Sequence, residues 1–273
     1  MKKHTLLLTL AFIVLLAGCH EYETNIITAV KKADAGSVRH AIDNGVHVDS
    51  TDEEGYTPLI WAAVLNDTAM LNLLLKNGAR IEVKNRYGET ALSAAASKGA
   101  AEAAALLIHH HAAVNTINKD RVTPLMYSAR MGFEKIVTML LDAGADVNAV
   151  SREGLGALAY ACLNNQAGAA QLLVRAKADV NVAMHDDDTI LMMLAARGNA
   201  AIAGRLIEAG AQVNARNKYD NTALMNACRA GDTAMVQLLL SYHADKTVKD
   251  NNGDDALTHA RRTGNARLIA LLQ

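Results

Sequence analysis

The sequence predicts an all-α solenoid of about eight 33-residue helix-turn-helix units with hairpin-like fingers between them, and three observations carry that prediction. Thr57-Pro58-Leu59, Thr90-Ala91-Leu92, Thr123-Pro124-Leu125, Gly156-Ala157-Leu158, Thr189-Ile190-Leu191, Thr222-Ala223-Leu224 and Asp255-Ala256-Leu257 begin 33 residues apart without an insertion. A second column repeats with them: Leu74, Leu107, Leu140, Leu173, Leu206, Leu239 and Leu272. Finally, 2 Pro and 4% aromatics favour short helices over a β-sandwich, while 18 Gly imply many turns.

The first element is not part of the repeat. Lys2 and Lys3 precede an apolar run from Leu6 to Leu16, the pattern of an export signal. A membrane span needs about 20 apolar residues, so the run is too short to remain as one. It ends in Leu16-Ala17-Gly18-Cys19, which resembles the lipobox of bacterial lipoproteins. The resemblance implies cleavage after residue 18, a diacylglyceryl group on the Cys19 sulfur and a third acyl chain on its amine. Several chains convert transient membrane contact into stable anchoring. His20 stands where an Asp would mark inner-membrane retention, so the resemblance implies the periplasmic side of the outer membrane. The expected organisation is a signal peptide over 1–18, the lipidated Cys19 and a short tether over 19–23, and repeats over 24–273. Four tether residues reach about 15 Å at most, which holds the repeats near the membrane surface.

Within a unit, the opening Thr is an N-cap acceptor, and Pro58 and Pro124 fit the first helical position, where a missing N–H costs nothing. The first helix is expected over Pro58–Leu65, with small Ala62 and Ala63 letting the next repeat approach. Leu71, Leu74 and Leu75 mark the buried stripe of the second helix. Gly78 supplies its left-handed end, and Ala79 to Tyr87 carries turn chemistry and forms the finger. A lone unit cannot bury its apolar face, so neighbours must stack, giving an elongated solenoid with a concave side. Arg261, Arg262, Arg267 and Gln273 at one end, and Lys31, Lys32, Arg39 and His40 at the other, suit polar terminal caps.

Thr-Pro-Leu, Ala62-Ala63, Gly78-Ala79 and the run Gly144-Ala145-Asp146-Val147-Asn148 together resemble the ankyrin repeat, over residues 24–273. Two departures stand out. The His that usually follows Thr-Pro-Leu is replaced by Ile60, Ser93, Met126, Ala159, Met192, Met225 and Thr258, which puts the usual inter-repeat hydrogen bonds in doubt. His111, Lys177 and His243 replace the C-cap Gly, and a left-handed turn there costs roughly 1–2 kcal/mol, so softer joints are expected.

No G-x-S-x-G, H-E-x-x-H, C-x-x-C or phosphate-binding loop is present, so no motif supports an enzyme or a cofactor. A net charge of −1 argues against a nucleic-acid partner. His109, His110 and His111 are adjacent, so their side chains diverge and suit a helix C-terminus better than one shared ion. His185-Asp186-Asp187-Asp188 lacks the spaced ligands of a calcium loop and reads as turn chemistry. Cys162 and Cys228 share a column two repeats apart, about 20 Å at ordinary helix spacing, too far for a disulfide.

The fifth position of each unit (Thr28, Trp61, Ala94, Tyr127, Tyr160, Met193, Asn226, His259) either packs between repeats or borders the concave groove. Beside it lie Leu65, Arg130, Met131, Leu163, Arg197 and Arg229. The fingers add Tyr56, Arg86, Tyr87, Arg152, Asp186 and Tyr219. Aromatic and Arg side chains dominate interface energetics, so Trp61, Tyr127 and Tyr160, with the helix-end and finger residues other than Leu163, form the candidate protein-binding set. The architecture also resembles periplasmic ankyrin lipoproteins that act as immunity proteins against type VI secretion effectors, lipases and phospholipases in particular. That resemblance implies a folded protein partner and inhibition by occlusion. Exported ankyrin proteins that act beside a catalase imply an alternative, an accessory partner of an endogenous periplasmic enzyme.

Overall fold

The structure is a computed structural model that describes residues 26–273 in two compact units, residues 26–119 and Asp120–Gln273. The expected signal peptide, Cys19 and the tether lie outside the described residues. No described helix is long and apolar enough to cross a membrane.

The first unit contains α1 (residues 26–31), α2 (Ala35–Asp43), α3 (Pro58–Val64), α4 (Thr68–Lys76), α5 (Ala91–Lys98) and α6 (Ala101–His109). The second contains α7 (Pro124–Met131), α8 (Glu134–Asp142), α9 (Ala157–Leu163), α10 (Ala167–Arg175), α11 (Ile190–Arg197), α12 (Ala200–Glu208), α13 (Ala223–Ala230), α14 (Thr233–Ser241), α15 (Ala256–Thr263) and α16 (Ala266–Leu272). Among the described residues the fingers form no strands, only the isolated bridges Val150–Gly156 and Ala183–Thr189 and one 3-10 turn at His185–Asp187.

The helices begin where an acceptor side chain permits. Thr57 Oγ1 accepts the N–H of Ile60, and Thr123, Thr189 and Thr222 repeat that bond at 3.2–3.3 Å. Gly156, in the equivalent place before α9, has no side chain to do so. Helix α3 ends at Val64, one residue before the expected Leu65, which serves as its C-cap. In α4 the buried stripe is Met70, Leu71 and Leu74, while Leu75 is only half-buried, a one-residue rotation of the expected face.

Within each unit the first helices stack on one another and the second helices do likewise: α3 on α5 and α4 on α6, then α7, α9, α11, α13, α15 and α8, α10, α12, α14, α16. The core lies between the two layers. Ala62, Ala63, Ala95 and Ala96 are fully buried, as expected where neighbouring backbones approach. Each fully buried Leu or Ile of this seam adds roughly 1.5–3 kcal/mol over exposure. His111, Lys177 and His243 do adopt the left-handed conformation, with φ of 60°, 62° and 61°. The residues proposed as polar caps at the two chain ends are exposed.

Inter-repeat hydrogen bonds persist without the absent His, because finger side chains supply them. Asp49 accepts from the Arg80 N–H at 3.0 Å and from its Nε at 2.7 Å. Glu82 accepts from Ala113, Asn148 from Asp179, Asn181 from Gln212 and Asn214 from Asp245, all at 2.8–2.9 Å. A backbone ladder runs beside these bonds: Arg86 donates to Glu54, Lys119 to Tyr87, Arg152 to Asp120, Lys218 to Asp186 and Asn251 to Tyr219. Among the described residues, the matching bond from His185 to Glu153 is the one missing.

Candidate functional site: fingers and first helices

One recurring finger position organises the exposed face in several repeats. Asp52, Asn85, Asn118, Ser151, Met184, Asn217 and Asp250 stand 33 residues apart. Asp52 Oδ1 accepts the N–H groups of Glu54 and Tyr56, and Asn85 Oδ1 those of Tyr87 and Glu89. Asn217 serves Tyr219 and Asn221, and Asp250 serves Asn252 and Asp254. This is the Asx turn, which satisfies finger donors without a strand partner.

The same residue also reaches the fifth-position side chain of the following helix. Trp61 Nε1 donates to Asp52 Oδ2 at 2.8 Å, Tyr160 Oη to Ser151 Oγ at 3.3 Å, and His259 Nε2 lies 3.0 Å from Asp250 Oδ2. At Trp61, Tyr160 and His259 the fifth column therefore ties a first helix to its own finger. Trp61, Tyr127 and Tyr160 remain half-exposed, whereas Ala94 and His259 are buried.

In the first unit the structure gathers Tyr56, Trp61, Asp52 and Lys31. The Tyr56 and Trp61 rings lie 5.1 Å apart, and Lys31 Nζ sits 3.8 Å over the Trp61 ring and 3.9 Å from Asp52. Burial, with Glu89 and Glu54 nearby, raises the Tyr56 phenol above its ordinary value. Tyr87 and Leu65 stand clear, 51% and 46% exposed, and the Arg86 side chain is exposed.

In the second unit Tyr219 and Arg229 line one groove of about 570 Å³ with Asn251, His259 and Arg262. Arg229 donates to Asn221 and Asn226, and Arg262 pairs with Asp254 at 2.6 Å. Asp186 is joined to Tyr219 Oη at 3.3 Å and to the Lys218 ammonium, contacts that hold its carboxyl below the usual range, the Lys218 hydrogen bond foremost. Arg130, Arg152 and Met131 are exposed, and Arg197 donates to the Leu163 carbonyl. Tyr160 turns to its own finger and does not join the groove.

Asp250, Asp254 and His259 place three donor atoms within 4.8 Å of one another, a cluster that reading the helical columns alone misses. Asp254 already has Arg262 as its cation. Burial raises the Asp250 carboxyl, but the Asp254 and Asn252 N–H groups and His259 outweigh it and hold it below the ordinary value. His109, His110 and His111 are exposed, the first two with rings 5.6 Å apart. Cys162 and Cys228 are free and buried, and burial pushes both thiols up to about 12.

Helix pairs whose fingers and first helices present polar, aromatic and arginine side chains on a hydrogen-bonded frame define a repeat scaffold for protein–protein interaction, a non-enzymatic class of fold. The family model for ankyrin repeats (3 copies) matches residues 7–85, 64–151 and 191–273, and the chain belongs to the ankyrin-repeat family. Among solved structures it is similar to the ankyrin repeat domain of Bcl-3, described as a unique member of the IkappaB protein family. The two are 25% identical with a TM-score of 0.73, over 81% of this chain and 99% of that one. No curated protein matches the chain.

Proposed function

We propose that this chain is a lipid-anchored periplasmic immunity protein that binds and occludes a type VI secretion effector such as a phospholipase. The reading rests on the lipobox-like Leu16-Ala17-Gly18-Cys19 behind an export-type segment, joined to a repeat scaffold whose family binds proteins. The observation that carries the binding half is the groove holding Tyr219, Arg229, Asn251 and Arg262. Its side chains are already fixed by hydrogen bonds, so a partner meets them with little ordering entropy to lose. A lipid anchor keeps the inhibitor where a lipid-cleaving toxin meets its substrate.

The test is co-purification of the intact chain with the effector encoded beside it, together with an assay of that effector's lipase activity. A stable complex that silences the lipase is expected. Tyr219→Ala with Arg229→Ala should weaken the complex by about 2 kcal/mol or more if these residues are central anchors. No complex, together with unchanged self-protection in a deletion strain, overturns the proposal. Peroxide sensitivity of that strain would favour the catalase-partner reading instead.

A further inference from the structure

The first helices of the second unit are one-sided in charge. Helices α7, α9, α11, α13 and α15 carry Arg130, Arg197, Arg229, Arg261 and Arg262 and no Asp or Glu. The second helices of the same unit mix signs, with Glu134, Asp142 and Glu208 beside Lys135, Arg175, Arg205 and Arg267. A helix dipole favours cations in the last turn, yet α8 ends on Asp142 and α12 on Glu208, so the dipole alone does not explain the segregation.

Several finger carboxylates of this unit already have partners: Asp186 with Lys218 and Tyr219, Asp188 with Asn217, and Asp254 with Arg262. Apart from Arg262, the first-helix arginines have no carboxylate partner among the ion pairs of the described residues. Arg229 donates to the neutral amides of Asn221 and Asn226, and Arg197 to a backbone carbonyl. Those bonds orient a guanidinium without neutralising it. Arg130, Arg197, Arg229 and Arg261 are exposed, and Met131 and Tyr219, 50% and 46% exposed, supply apolar area on the same unit.

Resting on the protein-binding reading above, we infer that the first-helix face of the second unit takes a folded protein whose contact surface is rich in Asp and Glu. Guanidinium forks match carboxylates in two parallel hydrogen bonds, which gives orientation as well as attraction. Nucleic acid fits less well, because a phosphate backbone favours a continuous run of cations, whereas the uncharged α9 interrupts the arginines and the chain carries a net charge of −1.

The test uses labelled poly-L-glutamate and the intact chain, followed by fluorescence anisotropy at low and physiological ionic strength, with poly-L-lysine and polyuridylate RNA as comparisons. Saturable binding of polyglutamate that weakens with salt is expected. The variant R197Q/R229Q/R261Q should lose about tenfold in affinity or more, with unchanged circular dichroism, while R175Q/R205Q on the second helices binds as the parent does. The charge-conserving R197K/R229K/R261K should fall between the parent and the Gln variant, which separates charge from folding damage. Absent polyglutamate binding, equal binding by the Gln variant, or tighter binding of the RNA overturns the inference. A protein partner captured as described above, retained by the Gln variant but lost on Tyr219→Ala, also overturns it and leaves the protein-binding reading standing.

Discussion

Helices α9 and α13 hold equivalent places two repeats apart in the same unit, yet the N-caps around them differ. Before α13, Thr222 caps the helix, Asn217 satisfies two finger N–H groups, and Lys218 donates across to Asp186. Asp232 then caps α14. Around α9 and α10 the caps are Gly156 and Gln166, neither of which makes a side-chain bond. The finger leading to α11 carries Met184 in place of the Asx acceptor. There Asp186 and Asp187 are both left-handed, with φ of 65° and 61°, and the His185 N–H does not reach Glu153.

The consequence reaches packing. A Cβ built on Gly55 or Gly88 would lie 3.0 Å from the next finger's backbone nitrogen, whereas at Gly154 the nearest atom is Met184 Cα at 3.9 Å. A cleft of about 390 Å³ opens between α10 and α12. Side chains bridge what the backbone does not: Arg197 donates to Leu163, and Asn199 to Asn165 at 2.5 Å. Residues 152–190, which contain this joint, also fall between the stretches that match the family model. The finger that lacks an Asx acceptor is thus also the one whose backbone bond to the preceding finger is missing among the described residues.

The ordered finger rests on Asn217. Asn217→Met removes the acceptor for Tyr219 and Asn221 and the donor to Asp188, and should cost about 2 kcal/mol in urea unfolding, with loss of protection at the Lys218 amide. Met184→Asn is the converse change. A restored Asx acceptor should add about 1 kcal/mol and protect the His185 amide, measured by the same titration and by hydrogen exchange. Gly156→Thr, at φ −87° and ψ 173°, places an N-cap side chain in a backbone that accepts it, for a gain of about 0.5 kcal/mol in thermal unfolding. Asp186→Asn, which removes the charge yet still tolerates the left-handed backbone, should leave the melting temperature unchanged, because the Lys218 pair is solvent-exposed, and a clear drop would mean that the pair holds the finger.

Much of this was legible in the sequence. The 33-residue period placed both helices of every repeat, and Thr57, Thr123, Thr189 and Thr222 marked first-helix starts from their residue type alone. The fate of the fifth column was not legible in the same way. Trp61, Tyr160 and His259 reach back nine residues to their own fingers, and that direction depends on how a finger folds over its helix, which helical periodicity does not encode. The signal lay in a different column, where Asp, Asn or Ser recurs and Met184 breaks the series. Exposed Tyr87, Met131 and Tyr219 were found where the candidate set had them, because helix ends and finger tips face solvent whatever their detailed geometry.

The most direct test is residue-resolved amide hydrogen exchange in the intact chain, comparing His185 with Arg152, Lys218 and Asn251. The finger-to-finger ladder requires slow exchange at the last three and near-unprotected exchange at His185. Protection of His185 equal to that of Lys218 would contradict the claim that the backbone ladder is interrupted at the finger carrying Met184.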